Sequence, residues 1–243
     1  MSPYRGRVTV KAWLRGHQFD LQDLADLLSS GHVRVVREDD SYYLTSPDID
    51  SAPQGSTFYN VAASRLTYVN GLGRVNNPGF RPVALTGKYT DGESQHNVIG
   101  ALSSEVRLRG HVAGVVTTGP NGQPKPDSPS PWPNRLALAE TNADVAKVLQ
   151  IMGSGERLDW VALWKVYEKV AEAVGSEQEI RQKGWATDAE QRAFRVSANL
   201  PRVSGDAARH AVDKGTDYPK RTMTIEEGQS FISELVTKWL KTL

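Results

Sequence analysis

The densest supply of reactive side chains lies in 194–223, FRVSANLPRVSGDAARHAVDKGTDYPKRTM. This stretch gathers Arg195, Asn199, Arg202, Asp206, Arg209, His210, Lys214, Lys220 and Arg221 and has little apolar periodicity. Five basic residues accompany three acids between 201 and 221. A guanidinium fixes a phosphate through paired N–H donors, and an adjacent imidazole, titrating near neutrality, can move a proton. His210 directly follows Arg209, so both groups occur within two residues. Long polar connections between helices are often functional. Arg202, Arg209 and His210 are therefore the candidate catalytic set. Arg195, Asn199, Lys214, Lys220 and Arg221 are candidate phosphate or partner contacts. A structural reading competes: Ser204-Gly-Asp206 forms a turn and cap, Arg209 pairs with Asp206 or Asp213, and His210 decorates a helix surface.

The rest of the chain is sparser in such groups. Asn70-Gly-Leu-Gly73 follows a helical pattern, which is the wrong order for a dinucleotide-binding loop, and it reads as a helix C-cap. Gly153-Ser-Gly155 precedes a helix and is either an anion seat or a plain hinge. His17, His32, His96 and His111 are scattered without metal-ligand spacing. The absence of cysteine excludes disulfides, thiolate metal sites and a cysteine nucleophile. No cofactor or metal site is expected. With 29 basic and 28 acidic residues, no whole-molecule field draws the protein to nucleic acid or membrane. The N-terminus lacks the apolar core of a signal peptide, and no apolar run approaches the ~20 residues of a membrane span. A cytoplasmic protein is expected.

The elements that must position these residues can be read from periodicity. In 7–14, Val8, Val10, Ala12 and Leu14 alternate onto one face of a strand. A helix with Asp20 as N-cap carries Leu21, Leu24, Leu27 and Leu28, with Gly31 placed to end it. Residues 32–37 and 41–45 form two strands around Glu38-Asp-Asp40. A helix over 57–72 should exit at Gly71 and Gly73. Strands follow at 81–90 and within 97–117. The segment 118–134 holds six of the thirteen prolines and reads as a linker, or else as a long loop within one domain.

Helical patterns dominate from 135 onward. Thr141–Asp144 resembles a capping box, and 158–175 and 188–198 are helices. Thr224–Glu227 caps a last helix whose Ile225, Phe231, Ile232, Leu235, Val236, Trp239 and Leu243 form one apolar stripe. The fold class is thus α+β: an N-terminal strand/helix part (1–117), a linker (118–134) and a helical part (135–243). Trp160 and Trp164, one turn apart, suit core packing or an interface anchor. Trp13 sits in less apolar surroundings and could be partly exposed. Tyr42 and Tyr43 straddle a strand, so one of them should face solvent.

The helical hairpin, the Ala-Asn and Gly-x-x-Ala-Arg-His segments, the Pro-containing loop and the capped last helix together resemble the C-terminal half of HEPN-type helical domains. A group of uncharacterised bacterial proteins shares such an ending. The resemblance covers 141–243. It implies a helical bundle of the kind found in RNA-cutting toxins and phage-defence proteins and in their nonenzymatic relatives. The catalytic signature of that family is an Arg, four to six residues, then a His. Here seven residues separate Arg202 from His210, and Arg209 adjoins it.

The expected function is an intracellular binding or regulatory protein, in a bacterial stress or phage-defence setting, with a protein or RNA partner and a possible homodimer. The alternative is a HEPN-like RNA-binding protein or metal-independent endoribonuclease, in which the arginines hold phosphate and His210 transfers the proton in attack by the ribose 2′-OH.

Overall fold

A computed structural model describes residues 9–53, 56–92, 94–98, 130–155, 157–212 and 220–243. Five strands, β1 (Val10–Arg15), β2 (Arg34–Glu38), β3 (Ser41–Thr45), β4 (Ala84–Asp91) and β5 (Ser94–Asn97), form one antiparallel sheet in the order β2-β3-β1-β4-β5. Helices α1 (Gln18–Leu27), α2 (Pro47–Ser51) and α3 (Ser56–Asn76) belong to the same half. The remainder is helical: α4 (Trp132–Thr141), α5 (Ala143–Gly153), α6 (Trp160–Val174), α7 (Glu177–Gln182), α8 (Asp188–Asn199), α9 (Pro201–Ser204) and α10 (Ile225–Leu240). The fold is α+β with a C-terminal helical part. No helix among the described residues is long and apolar enough to cross a membrane.

The period-two pattern expected from residue 7 is realised in β1 from Val10 onward, Val8 lying outside the described residues. Val10, Ala12 and Leu14 are buried, while Lys11, Trp13 and Arg15 are half-buried on the other face. Leu44 and Tyr42 of β3, Val35 of β2 and Leu85 and Tyr89 of β4 join the inner face, where α1 and α3 pack. Asp39 and Asp40 alone turn the β2–β3 hairpin, with Asp39 at φ 53°, a conformation an aspartate tolerates in tight turns.

Several expected boundaries move. Asp20 does not cap α1; His17 holds the N-cap position, and Asp20 is buried one turn inside, where its carboxylate accepts from Arg81 Nε at 2.9 Å. Helix α1 stops at Leu27, and Gly31 takes its positive φ further on, in the turn into β2. Asn142, not Thr141, caps α5, accepting from the backbone N–H groups of Asp144 and Val145 at 3.0 and 3.1 Å. Trp132 and Pro133, inside the proline-rich stretch, open α4, where a proline's missing N–H costs nothing. The rest of that stretch up to 129 lies outside the described residues, and of the strand expected within 97–117 only residues 97 and 98 are described, Asn97 ending β5.

The largest departure is α3, which runs straight through Gly71 and Gly73 instead of ending there. Their role is close approach. A methyl added at Gly71 would overlap the Leu149 carbonyl of α5, and one at Gly153 of α5 would overlap the Thr67 carbonyl of α3. The two backbones touch where both lack a Cβ. The interlock is completed by Arg74, whose buried guanidinium donates to Met152 O at 2.8 Å, Ser154 O at 3.1 Å and Gly155 O at 3.0 Å. These are carbonyls at the end of α5 that have no helical partner. Burial pulls the Arg74 guanidinium down to about 10. Ser233 of α10 donates to Arg74 O at 3.0 Å, so α3, α5 and α10 share one apolar core with the sheet.

Candidate functional site

The described residues of 194–223, which are 194–212 and 220–223, hold more regular structure than their composition suggests. Helix α8 continues to Asn199, α9 follows, and a 3₁₀ turn spans Gly205–Ala207. Three bonds staple it to the last turns of α8. Ser204 Oγ donates to Ser197 O at 2.5 Å, Arg209 N donates to Ala198 O at 2.8 Å, and Met223 N donates to Ser197 Oγ at 2.7 Å. The Thr224–Glu227 capping box then starts α10 as the sequence predicts. Thr187 and Glu190 form a second capping box, on α8, whose hydrogen bonds hold the Glu190 carboxyl below its usual range.

The expected site residues divide into groups. Arg209 lies over the Trp164 ring, its guanidinium carbon 5.4 Å from the centroid. It also donates to Asn199 Oδ1 at 3.3 Å and pairs with Glu168 at 3.8 Å. Asn199 in turn donates to Arg195 O at 2.9 Å, and Arg195 pairs with Glu177. Arg209, Asn199 and Arg195 are therefore brought together, around the α6–α8 contact. The partner of Arg209 is Glu168, not the Asp206 considered from sequence; Asp213 lies outside the described residues. Beneath Arg209, Trp164 stacks on Phe194 at 6.0 Å and 10°, and Tyr167 and Phe231 close the cluster. Burial pushes the Tyr167 phenol up to about 12.

His210 is exposed and makes no hydrogen bond or ion pair with Arg202 or Arg209. Arg202 is half-buried on α9. Lys220 and Arg221 are exposed ahead of α10, and Lys214 lies outside the described residues. Trp160 and Trp164 are buried, as core packing requires.

A second group of chemically capable residues occupies the outer face of the sheet. Trp13 of β1 stands opposite Tyr43 of β3, with ring centroids 5.5 Å apart at 65°. Trp13 Nε1 donates to Thr90 Oγ1 of β4 at 3.1 Å, which draws the indole across the strand boundary, and Thr86 Oγ1 donates to Trp13 O at 3.1 Å. Gly87, at φ 82°, sits where the β1–β4 register slips beside Trp13. Lys88 Nζ lies 5.0 Å from the Trp13 centroid, and Lys11 Nζ lies 5.9 Å from Trp13 and 5.2 Å from Tyr43.

The register also places Arg15, Arg34, Val36, Glu38 and Thr45 on this face. Glu38 pairs with Lys11 and holds its ammonium above the usual range. Apart from Tyr43 and Thr45, these side chains are half-buried or exposed. The sequence hinted at one member, the partly exposed Trp13; the expectation that Tyr42 or Tyr43 faces solvent fails, because both are buried, Tyr43 against the Trp13 ring on the outer face. Lys11 and Lys88 were missed. The alternation that buries Val10, Ala12 and Leu14 already places Lys11 beside Trp13, but Lys88 joins only through strand pairing. Compared with family models, curated proteins and solved structures, the chain has no match.

Proposed function

We propose that this chain is a binding or regulatory protein whose recognition surface is the outer face of the sheet. The observation that carries the reading is the Trp13 indole, fixed by Thr90, beside Tyr43 and beneath the Lys11 and Lys88 ammonium groups. A half-buried aromatic ring offers stacking area at low entropic cost, and flexible lysines supply charge that can swing from ring to ligand. The cellular setting expected from the sequence, bacterial stress or phage defence, is part of this proposal. The test is a thermal-shift panel of nucleotides, oligonucleotides, acidic peptides and sulfated sugars against wild type and Trp13→Ala. At least one class should raise the wild-type melting temperature by several degrees at a hundredfold excess over Kd and leave the variant unmoved. A panel in which every shift is identical for the two proteins rejects the surface.

The second reading is the Arg/His endoribonuclease centre, supported by the exposed position of His210 on a segment anchored to α8. On that reading His210→Ala abolishes RNA cleavage without changing the melting temperature. Equal cleavage by the variant removes it.

A further inference from the structure

We infer that the ligand of the outer sheet face is a single-stranded nucleic acid, held by a base stacked at Trp13 and by phosphates on the surrounding cations; this rests on the sheet face being the recognition surface. Three observations carry it. The first is charge. Among the described residues the strands place Lys11, Arg15, Arg34 and Lys88 on this face with one acid, Glu38, while Asp50 of α2 accepts from Thr45 at its edge, in a chain whose total is +1. The local excess of positive charge is therefore a property of this face and not of the molecule. An anionic polymer is attracted to such a stripe, whereas a neutral ligand leaves the cations unused.

The second observation is the aromatic pair at the centre of that stripe. An acidic peptide would satisfy the cations, but it makes no use of an indole with a nucleobase-sized face. Every base has such a face, so stacking binds single strands whatever their sequence. A duplex keeps its bases stacked inside and cannot offer them. The threonine hydroxyl and backbone bonds fix the indole to β4 and define where a base would lie.

The third is shape. Two cavities, of about 480 and 210 Å³, are lined by α5, α6, α7, α8 and the turn before α6, and neither includes a residue of the sheet. Small molecules bind in concave pockets that enclose most of their surface. A sheet face instead suits an extended chain that crosses several strands. Alternate residues on one face of a strand are ~7 Å apart, and neighbouring strands ~5 Å apart, so the four cations are spread over several nucleotides of path.

The experiment is fluorescence anisotropy with labelled twelve-nucleotide RNA, the DNA strand of the same sequence, and the DNA duplex. Wild type, Trp13→Phe, Trp13→Ala and Lys11→Gln/Lys88→Gln are compared, with circular dichroism confirming that each variant is folded. Wild type should bind a single strand and favour it at least tenfold over duplex. RNA against DNA preference is read from the first two arms. Trp13→Ala should weaken binding about 5- to 150-fold, the loss expected for one stacked base, while Trp13→Phe retains most of it. With three or four phosphates engaged, log Kd should rise with log salt at a slope of roughly 2 to 3, and the double-lysine variant should lower that slope by about 1 to 1.5.

Absence of single-strand binding by wild type, or binding that none of these variants alters, overturns the inference. The two failures are distinguishable. If no strand binds but another class in the thermal-shift panel still depends on Trp13, the surface stands and only its ligand is wrong. If strands bind without regard to Trp13 or the lysines, the surface itself is wrong.

Discussion

Trp13 and Trp164 each lie beneath a cation, and they differ in where the ring and the charge are spent. In the helical part Trp164 is 6% exposed, stacked on Phe194, and capped by Arg209, whose charge is met by Glu168 and Asn199. On the sheet Trp13 is half-buried and lies beneath Lys88, which forms no ion pair among the described residues. The first pair is closed: ring and cation both have partners within the fold. The second is open: Trp13 is only half-buried, and Lys88 has no ion pair among the described residues. Contact between a cation and an aromatic ring is common in proteins and is not itself a site. Exposure and charge balance separate the structural pair from the pair proposed to bind.

The strongest test of this contrast is truncation of the two rings. Trp164→Ala should cost about 3–5 kcal/mol, because it opens a cavity among Phe194, Tyr167 and Phe231 that the packed helices cannot close. Trp13→Ala removes a ring that is only half-buried and should cost about 1 kcal/mol. Guanidinium unfolding of both variants measures the difference. Equal losses would make Trp13 a core residue and dissolve the comparison.

The next effect comes with alkali. Burial raises the phenols of Tyr167 and of Tyr89, the latter stacked on Phe58 in the sheet core. The folded state therefore keeps its proton where the unfolded chain, titrating near 10, has lost it. Protons bound are fewer in the unfolded state, so stability is complete below pH 10 and declines above it, by up to about 1.4 kcal/mol per pH unit for each group. Urea midpoints between pH 9 and 11.5 should show this decline, and Tyr167→Phe should flatten it. A profile unchanged by Tyr167→Phe would mean that the closed cluster admits water.

These contrasts were only partly legible in the sequence. The alternation at 7–14 and the stripe of the last helix are local signals: Val10, Ala12 and Leu14 are buried with Val8 outside the described residues, and α10 buries Ile232, Leu235, Val236 and Trp239, whereas Leu243 falls beyond its end and is exposed. Gly71 and Gly73 misled because a glycine after an apolar helical run looks the same whether it ends the helix or admits a neighbour. The neighbours here, Leu149 and Phe80, come from elsewhere in the chain. Asp20 misled for a similar reason, since its partner Arg81 is 61 residues away. Of the candidate residues, the sequence identified the polar segment but not that Glu168, from a different helix, neutralises Arg209. Alternation puts Lys11 on the face of Trp13, but nothing local marks either lysine as part of a site or brings Lys88 over the same ring. Periodicity reports faces; it does not report which faces meet.

The smallest expected effect is also the most discriminating between the two pairs. Arg209→Gln removes a cation over a buried ring and one weak ion pair, which together should cost about 1 kcal/mol. Lys88→Gln removes an exposed ammonium from an open ring and should change stability by less than about 0.5 kcal/mol. Both are measured as shifts in guanidinium midpoint at constant slope. If Lys88→Gln destabilises as much as Arg209→Gln, Lys88 is a clamp that holds the indole in place. Its charge would then be committed to the fold and could not be offered to a ligand. If only Arg209→Gln destabilises, the arginine belongs to the architecture of the helical part. The lysine is then free to leave the ring when something better charged arrives.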